Sequence, residues 1–526
     1  MMRILLTVLL MFAVWTVEAN ELLERPTFEK GDALPALADW KIDPQVGGGI
    51  TLGSGANVGG VTLQGNRFVD LDGQQKFGGR LIKAKRMEVI PGRSYLLRVE
   101  ARGNGHLLLG AVEFPDKHTP VRLPITHLSF PLESKWQTVS WQFTPSDAAM
   151  FIAPFFQMEG WGGHVDLRNP SLTDVVRSEN LSVTAEDFVF NLGEPVRVRV
   201  RADHSPIKLL VYGPGGVPPG PGGAYGGADA WVDHFQSSLS VEMVPGTEKS
   251  VALDLPPSAR EGFYRVVAVS PETGQSATAG FCVYPQSLSN AFRTLASRIN
   301  LSPGSRLIFL GDSLTDFFRG RNYVDLVTRA IAQKYGDTIE VINAGVGGDT
   351  IKKIAARLTT DVIAKKPTHV FIFEGANDCK RTYDPQKGLA PDWILPQSEY
   401  ATTYREVLKR LKEETDAAVF IMTMVPGEQR ILAPYREHVM TFEQRKNFFC
   451  LPEETARVVA LQKQMAEEYE MPVIDTHARF QAFLENKDAP YLHVDDGVHL
   501  SEYGNREVAL SVLEYLANAS SKDVSD

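Results

Sequence analysis

The sequence predicts a multidomain protein in which two all-β sandwiches precede a C-terminal three-layer α/β/α unit built on a parallel sheet of flavodoxin-like type. Three observations carry that expectation. The chain has 526 residues, more than one core fills at about 150 residues per domain. Up to about residue 286 it runs in short β-type stretches broken by Gly and Pro, with no convincing helical spacing. From about Leu288 apolar runs alternate with amphipathic segments, as parallel strands covered by helices require. The expected units are 1–19, 20–176, 177–286 and 287–526.

The first unit reads as a targeting segment. Met1-Met2-Arg3 supplies a basic start, Ile4 to Trp15 an apolar core, and Val17 and Ala19 the small residues before a cut expected after Ala19. The apolar run is short for a bilayer span, so a cleaved signal peptide and a secreted or periplasmic protein without stable membrane insertion are expected. Apolar content of 43% and charged content of 22% are ordinary for a globular chain. A formal net charge of −10 argues against nucleic acid as a partner, because phosphates need a basic footprint. Only Cys282, Cys379 and Cys450 are present, too few for a multi-bridge scaffold and too widely spaced for a thiolate metal site. Cys379 and Cys450 fall in one unit and either pair or stay buried as free thiols.

Residues 20–176 hold β-type runs such as Ser94 to Ala101, Leu107 to Leu109, Gln137 to Phe143 and His164 to Leu167. Such regular short strands predict a β-sandwich. Pro91-Gly92-Arg93-Ser94-Tyr95, Lys135-Trp136-Gln137-Thr138-Val139 and Val165 to Leu172 resemble the jelly-roll carbohydrate-binding modules attached to polysaccharide-acting enzymes. A sugar ring presents an apolar C–H face, so a binding module needs aromatic platforms, and Trp40 and the loop residue Trp161 are the candidates. Trp141 alternates in line with Val139 and Phe143 and is expected in the core. Modules of this kind also serve as spacers that bind nothing.

In residues 177–286 the run Val196-Arg197-Val198-Arg199-Val200-Arg201 puts valines on a core face and arginines outside. Gly262 to Val269 looks like a late strand of an immunoglobulin-like sandwich. Residues 213–227, rich in Gly and Pro, predict a long loop.

The α/β unit shows apolar strands at Leu307 to Leu310, Ile339 to Asn343, His369 to Glu374, Ala418 to Met424 and Pro472 to Asp475. Tyr400 to Glu414 and Glu453 to Tyr469 have helical spacing. The first strand stops at Gly311-Asp312-Ser313, a strand-to-helix turn at the sheet edge where open α/β folds bind ligands. The next two run into Gly347-Gly348-Asp349 and Gly375-Ala376-Asn377-Asp378, and Asp495-Asp496-Gly497-Val498-His499 follows near the C-terminus. Parallel strands would bring all these blocks to one edge.

In order and spacing, Gly311-Asp312-Ser313-Leu314, Gly348-Asp349, Gly375-Ala376-Asn377-Asp378 and Asp496-Gly497-Val498-His499 resemble the four diagnostic blocks of the SGNH hydrolases, also called GDSL esterases. The resemblance covers Leu288 to about Ser520 and implies a serine esterase. It makes Ser313 the nucleophile, His499 its base and Asp496 the carboxylate that orients the imidazole. The implied oxyanion donors are the backbone N–H groups of Ser313 and Gly348 and the side-chain amide of Asn377. Asp312, Asp349 and Asp378 are read as caps and turn acceptors, Asp495 as a weaker acid, and His477 and His493 as surface histidines outside the site. No metal or organic cofactor is called for. The expected substrate is an acetylated polysaccharide or oligosaccharide; a lipase or thioesterase, or a carbohydrate-binding protein with a silent α/β domain, are the alternatives.

Overall fold

The computed structural model describes residues 40–42, 50–53, 61–65, 68–69 and 75–76 as strands, then 80–519 apart from 84–85, 91–92, 104–105, 115–125, 146–148, 160–163, 176–180, 215–233, 271–274, 317–319, 487–488 and 495. The expected signal peptide, Trp161, Asp495 and most of the Gly/Pro-rich loop therefore lie outside the described residues. Trp40 opens the strand Trp40–Ile42.

The first β region has a two-stranded ribbon of 68–69 with 75–76 and two large antiparallel sheets. One orders the strands 40–42, 80–83, 151–159, 106–114 and 126–131, and the other orders 137–143, 94–103, 164–175, 61–65 and 50–53. Leu97, Val99 and Ala101 of one sheet share a core with Leu107, Leu109 and Phe156 of the other. Trp141 is buried there, its ring stacked on Phe143 at 4.4 Å, as its alternation predicted.

The second β region pairs a sheet of strands 182–185, 196–202 and 247–253 with one of strands 189–191, 276–284, 262–269, 207–213 and 234–241. Val196, Val198 and Val200 are buried and Arg197, Arg199 and Arg201 exposed, so the period of two reads directly onto the sheet. This region is not a free-standing bead. Leu210, Tyr212 and Val267 complete the core of the first region, while Phe188, Phe263, Cys282 and Tyr284 join the core of the α/β region.

In the α/β region we number the strands β1 (Arg306–Gly311), β2 (Glu340–Gly345), β3 (His369–Phe373), β4 (Ala418–Met422) and β5 (Val473–Ile474). They form one parallel sheet in the order β2-β1-β3-β4-β5. Alternate residues face opposite layers. Phe309, Phe371 and Phe420 stack in a row at 4.6 and 4.7 Å, against α1 (Gln286–Arg298), α3 (Tyr323–Tyr335) and α9 (Glu502–Ala519). Ile308, Leu310, Val370, Ile372 and Ile421 face α4 (Ile351–Asp361), α5 (Gln397–Glu414) and α7 (Pro452–Tyr469). Burial on both faces explains the unbroken apolar runs, since each such side chain contributes roughly 1.5–3 kcal/mol when removed from water. A short α2 (Ser313–Asp316) follows β1 at once, and α6 (Gln429–Thr441) and α8 (Thr476–Leu484) follow β4 and β5.

Candidate active site

β1 ends on Gly311 because a side chain there would run into the Phe373 carbonyl of the neighbouring β3. Ser313 opens α2, its side chain buried at the C-terminal edge of the sheet. The turn is held from below. Asp312 Oδ1 accepts from the Leu314 N–H at 2.9 Å, and its carbonyl accepts from Thr315 and Asp316 at 3.1 and 3.0 Å. The amides of Asn322 and Asn343 both donate to the Thr315 carbonyl, at 2.8 and 2.7 Å.

The last block folds over this turn from between α8 and α9. Gly497 takes a φ of +71°, and a Cβ there would stand 2.7 Å from Leu432 Cγ, so this loop has room only for glycine. The tight turn points the Asp496 carboxylate back along its own loop, where Oδ1 accepts from the N–H groups of Val498 and His499, both at 2.8 Å. Asp496 Oδ2 meets His499 Nδ1. His499 Nε2 lies 2.8 Å from Ser313 Oγ. With Nδ1–H donating to the carboxylate, Nε2 is left to accept the hydroxyl proton. Burial works to raise the Asp496 carboxyl, but the imidazole and the two N–H groups outweigh it and hold it below the usual range. Ser313, His499 and Asp496 are thus brought together from positions nearly two hundred residues apart.

Of the three oxyanion candidates, Asn377 is buried beside the turn, its amide 3.4 Å from Asp312 Oδ2. Gly348 sits at φ +79° ahead of α4, and neither its N–H nor that of Ser313 donates to a described group. Of the three acids expected as caps and turn acceptors, Asp312 accepts from the Leu314 N–H and Asp378 Oδ1 from the Ile351 N–H at 2.9 Å, whereas Asp349 is instead an ion-pair partner, its Oδ2 2.7 Å from Arg357 Nε. Burial pushes Asp312 up to about 7, against the pull of the Leu314 N–H and of His499.

Two histidines need correcting. His477 and His493 were expected on the surface, and both are buried. His477 Nδ1 lies 2.9 Å from the Met424 carbonyl; neither ring nitrogen of His493 has a hydrogen-bond partner, and burial pulls that imidazole down to about 4. Neither reaches Ser313. All three cysteines are buried and free, so Cys379 and Cys450 do not pair.

Arg357 and Glu374 escaped the motif search. Besides Asp349, the Arg357 guanidinium donates to the carbonyls of Ala344 at 2.8 Å and Gly311 at 3.0 Å, tying β1, β2 and the Gly348 loop together. Its only sequence signal is an arginine next to Leu358 on the Ile351/Ile354/Leu358 face of α4. Among the described residues no group of three His, Cys, Asp or Glu side chains is placed to hold a metal ion, and no helix is long and apolar enough to cross a membrane.

Residues 309–507 match the profile of the GDSL-like Lipase/Acylhydrolase family. An acetylxylan esterase of Geobacillus stearothermophilus is 30% identical over 231 residues, a match that spans 95% of that protein and 41% of this chain. The chain belongs to the GDSL-like lipase/acylhydrolase family. It is a carboxylic ester hydrolase, and its parallel-sheet region is the hydrolase domain. Among solved structures, the acetylxylan esterase Axe2 from the same organism is 26% identical with a TM-score of 0.32, covering 41% of this chain and 95% of Axe2. A lipase/acylhydrolase from Enterococcus faecalis is 23% identical with a TM-score of 0.30, covering 41% of this chain and 96% of its own.

Proposed function

We propose that this hydrolase is an exported esterase that removes acetyl groups from a polysaccharide through a Ser313–His499–Asp496 triad. The single observation that carries the mechanism is the line from Asp496 through the imidazole to Ser313 Oγ at 2.8 Å. The carbohydrate ester as substrate is supported by the similarity to an acetylxylan esterase along almost all of that protein's length.

Ser313 Oγ attacks the ester carbonyl carbon while His499 Nε2 takes the hydroxyl proton, and the carbonyl oxygen becomes an oxyanion. The N–H groups of Ser313 and Gly348 and the Asn377 amide are its donors, each worth about 10²–10³ in turnover. Collapse breaks the bond to the sugar oxygen, which leaves with the proton from His499. Water then repeats the sequence on the acetyl-serine and releases acetate. Asp496 holds the tautomer and stabilises the imidazolium throughout. None of these steps uses a cofactor.

Under this reading residues 1–19 are a cleaved signal peptide and 287–526 the catalytic domain. Residues 20–176 are a jelly-roll resembling carbohydrate-binding modules, with Trp40 and Trp161 as its aromatic platforms, and 177–286 are an immunoglobulin-like β-sandwich. The test is acetate release by the purified protein from an aryl acetate and from a panel of acetylated polysaccharides, xylan included. Activity on both with Ser313→Ala inert is expected. A fully active Ser313→Ala overturns the triad, and a preference for acyl chains of about eight carbons or more over acetate points to the lipase or thioesterase reading.

A further inference from the structure

β3 runs out into Glu374-Gly375-Ala376-Asn377-Asp378, and two of these side chains are carboxyls with almost no access to water. Glu374 is 1% exposed and Asp378 0%. Each has one oxygen accounted for. Tyr400 Oη donates to Glu374 Oε1 at 2.8 Å, and the Ile351 N–H donates to Asp378 Oδ1 at 2.9 Å. The remaining oxygens, Glu374 Oε2 and Asp378 Oδ2, are buried without an N–H or O–H donor. Two orphaned acceptors on adjacent acids are expensive, at roughly 1–3 kcal/mol apiece or more when charged. One proton held between them would give both a partner, and each carboxyl acts on the proton affinity of the other.

The surroundings decide which acid keeps the proton. Burial, and then the charge of Asp378, push the Glu374 carboxyl well above its ordinary range. Asp378 rises to about 6 through burial, restrained by the Ile351 N–H and by the hydrogen bond from Glu374. The other groups acting on the pair are Asp312 from the serine turn, Tyr400 and Tyr404 on α5, and Lys380 beyond Asp378, with Gln462 of α7 donating to the Glu374 carbonyl at 3.0 Å. Lys380 favours an ionised Asp378; Asp312 disfavours a second charge on Glu374.

What this bridge joins gives it a purpose. Thr350 precedes α4 but its side chain makes no capping bond, so the start of the helix is capped instead by Asp378 from a loop 27 positions away. Gly348 lies just ahead of that start, and Asn377 is the residue before Asp378. We propose that Glu374 is a proton-bearing positioning residue: as a neutral acid it donates to Asp378, and the bridge clamps the Asn377 loop to the first turn of α4, setting the separation of the Asn377 amide from the Gly348 N–H. The inference rests on the oxyanion role given to those two donors above.

Glu374→Gln tests it, because an amide N–H donates to Asp378 at every pH while its oxygen still accepts from Tyr400. Glu374→Gln keeps the wild-type kcat on an aryl acetate at neutral pH. Glu374→Ala lowers kcat roughly 10–100-fold with little change in KM, the scale of a displaced donor. In the infrared difference spectrum of ligand-free wild type minus Glu374→Gln, the carbonyl stretch of a protonated carboxylic acid is present at neutral pH. Absence of the band, a Glu374→Gln as impaired as Glu374→Ala, or a Glu374→Ala with full kcat overturns the bridge. If Glu374→Ala does not fold, the band and Glu374→Gln still decide. The band is read without substrate, so its absence strikes the bridge alone, whereas an active Ser313→Ala strikes the triad alone.

Discussion

Asp312 lies directly before the nucleophile candidate and is 0% exposed. Burial raises its carboxyl to about 7, the Leu314 N–H and His499 pull it back, and Asp378 and Asp349 add to the rise. A folded value above the unfolded one of about 4 means that the fold holds this proton more tightly than the unfolded chain does. The stability tied to the neutral acid is therefore complete below about pH 4 and is lost as the pH climbs through about 7. Asp312→Asn removes that dependence. Its urea midpoint, compared with wild type, should improve steadily over this window, and a difference that stays constant across it would contradict the assignment. Ser313 was legible because it stands where an apolar run ends, and Asp496 and His499 because their block, with its three-residue step, resembles that of the SGNH hydrolases. Glu374 was not, since an acid closing an apolar strand has no meaning until its neighbours are known.

At the scale of elements, Arg357 ties the loop after β2 to the ends of β1 and β2, and Asp316 Oδ2 accepts from the Gly347 N–H of the same loop at 2.9 Å. Arg357 is 15% and Asp349 6% exposed, so their pair at 2.7 Å is mostly shielded from water. Arg357→Ala leaves a buried carboxylate unpaired and releases two strand-end carbonyls, at a cost of about 3–5 kcal/mol. Because Gly348 precedes Asp349, kcat on an aryl acetate should fall together with the thermal midpoint. Lys353, whose exposed ammonium reaches only the Gly348 carbonyl at 2.9 Å, is the comparison, and Lys353→Ala should change neither much. Equal effects from the two would remove Arg357 from its role. All five expected strands matched within two residues at each end, since buried parallel strands are unbroken apolar runs; β5 is the short one, Val473–Ile474, pairing only with Ile421 and Met422 of β4. Arg357 stayed hidden because, apart from Asp361 on its own helix, what it binds comes from the end of β1, the end of β2 and the loop after it.

The whole molecule is stitched by cores that cross between regions. Tyr284 stacks on Phe292 of α1 at 5.4 Å, the Arg329 guanidinium lies 5.3 Å over the Phe263 ring, and Arg506 of α9 pairs with Glu261 at 3.3 Å. Phe263 and Tyr284 share one hydrophobic core with β1 and β3. Phe263→Ala, far from the serine, should therefore lower the stability of the hydrolase domain by about 3–5 kcal/mol. The midpoint of esterase inactivation in urea measures it, and an unmoved midpoint would mean that the second β region is only a tether.

By itself the sequence determined the strand pattern, the helix spacing and the identity of the four blocks, because each depends on residues within a few positions of one another. The rule that parallel strands present their ends on one edge also joined the serine, glycine and asparagine blocks; the Asp496–His499 block lies between α8 and α9 and was brought to the serine by the fold. Only the tertiary structure decided that His477 and His493 are interior, that the cysteines stay apart, that Arg357 and the Glu374–Asp378 bridge hold the site, and that the second β region shares the hydrolase core. Each of these is a contact between segments far apart in the chain, and burial, which sets their charge and their cost, is a property of the packed molecule.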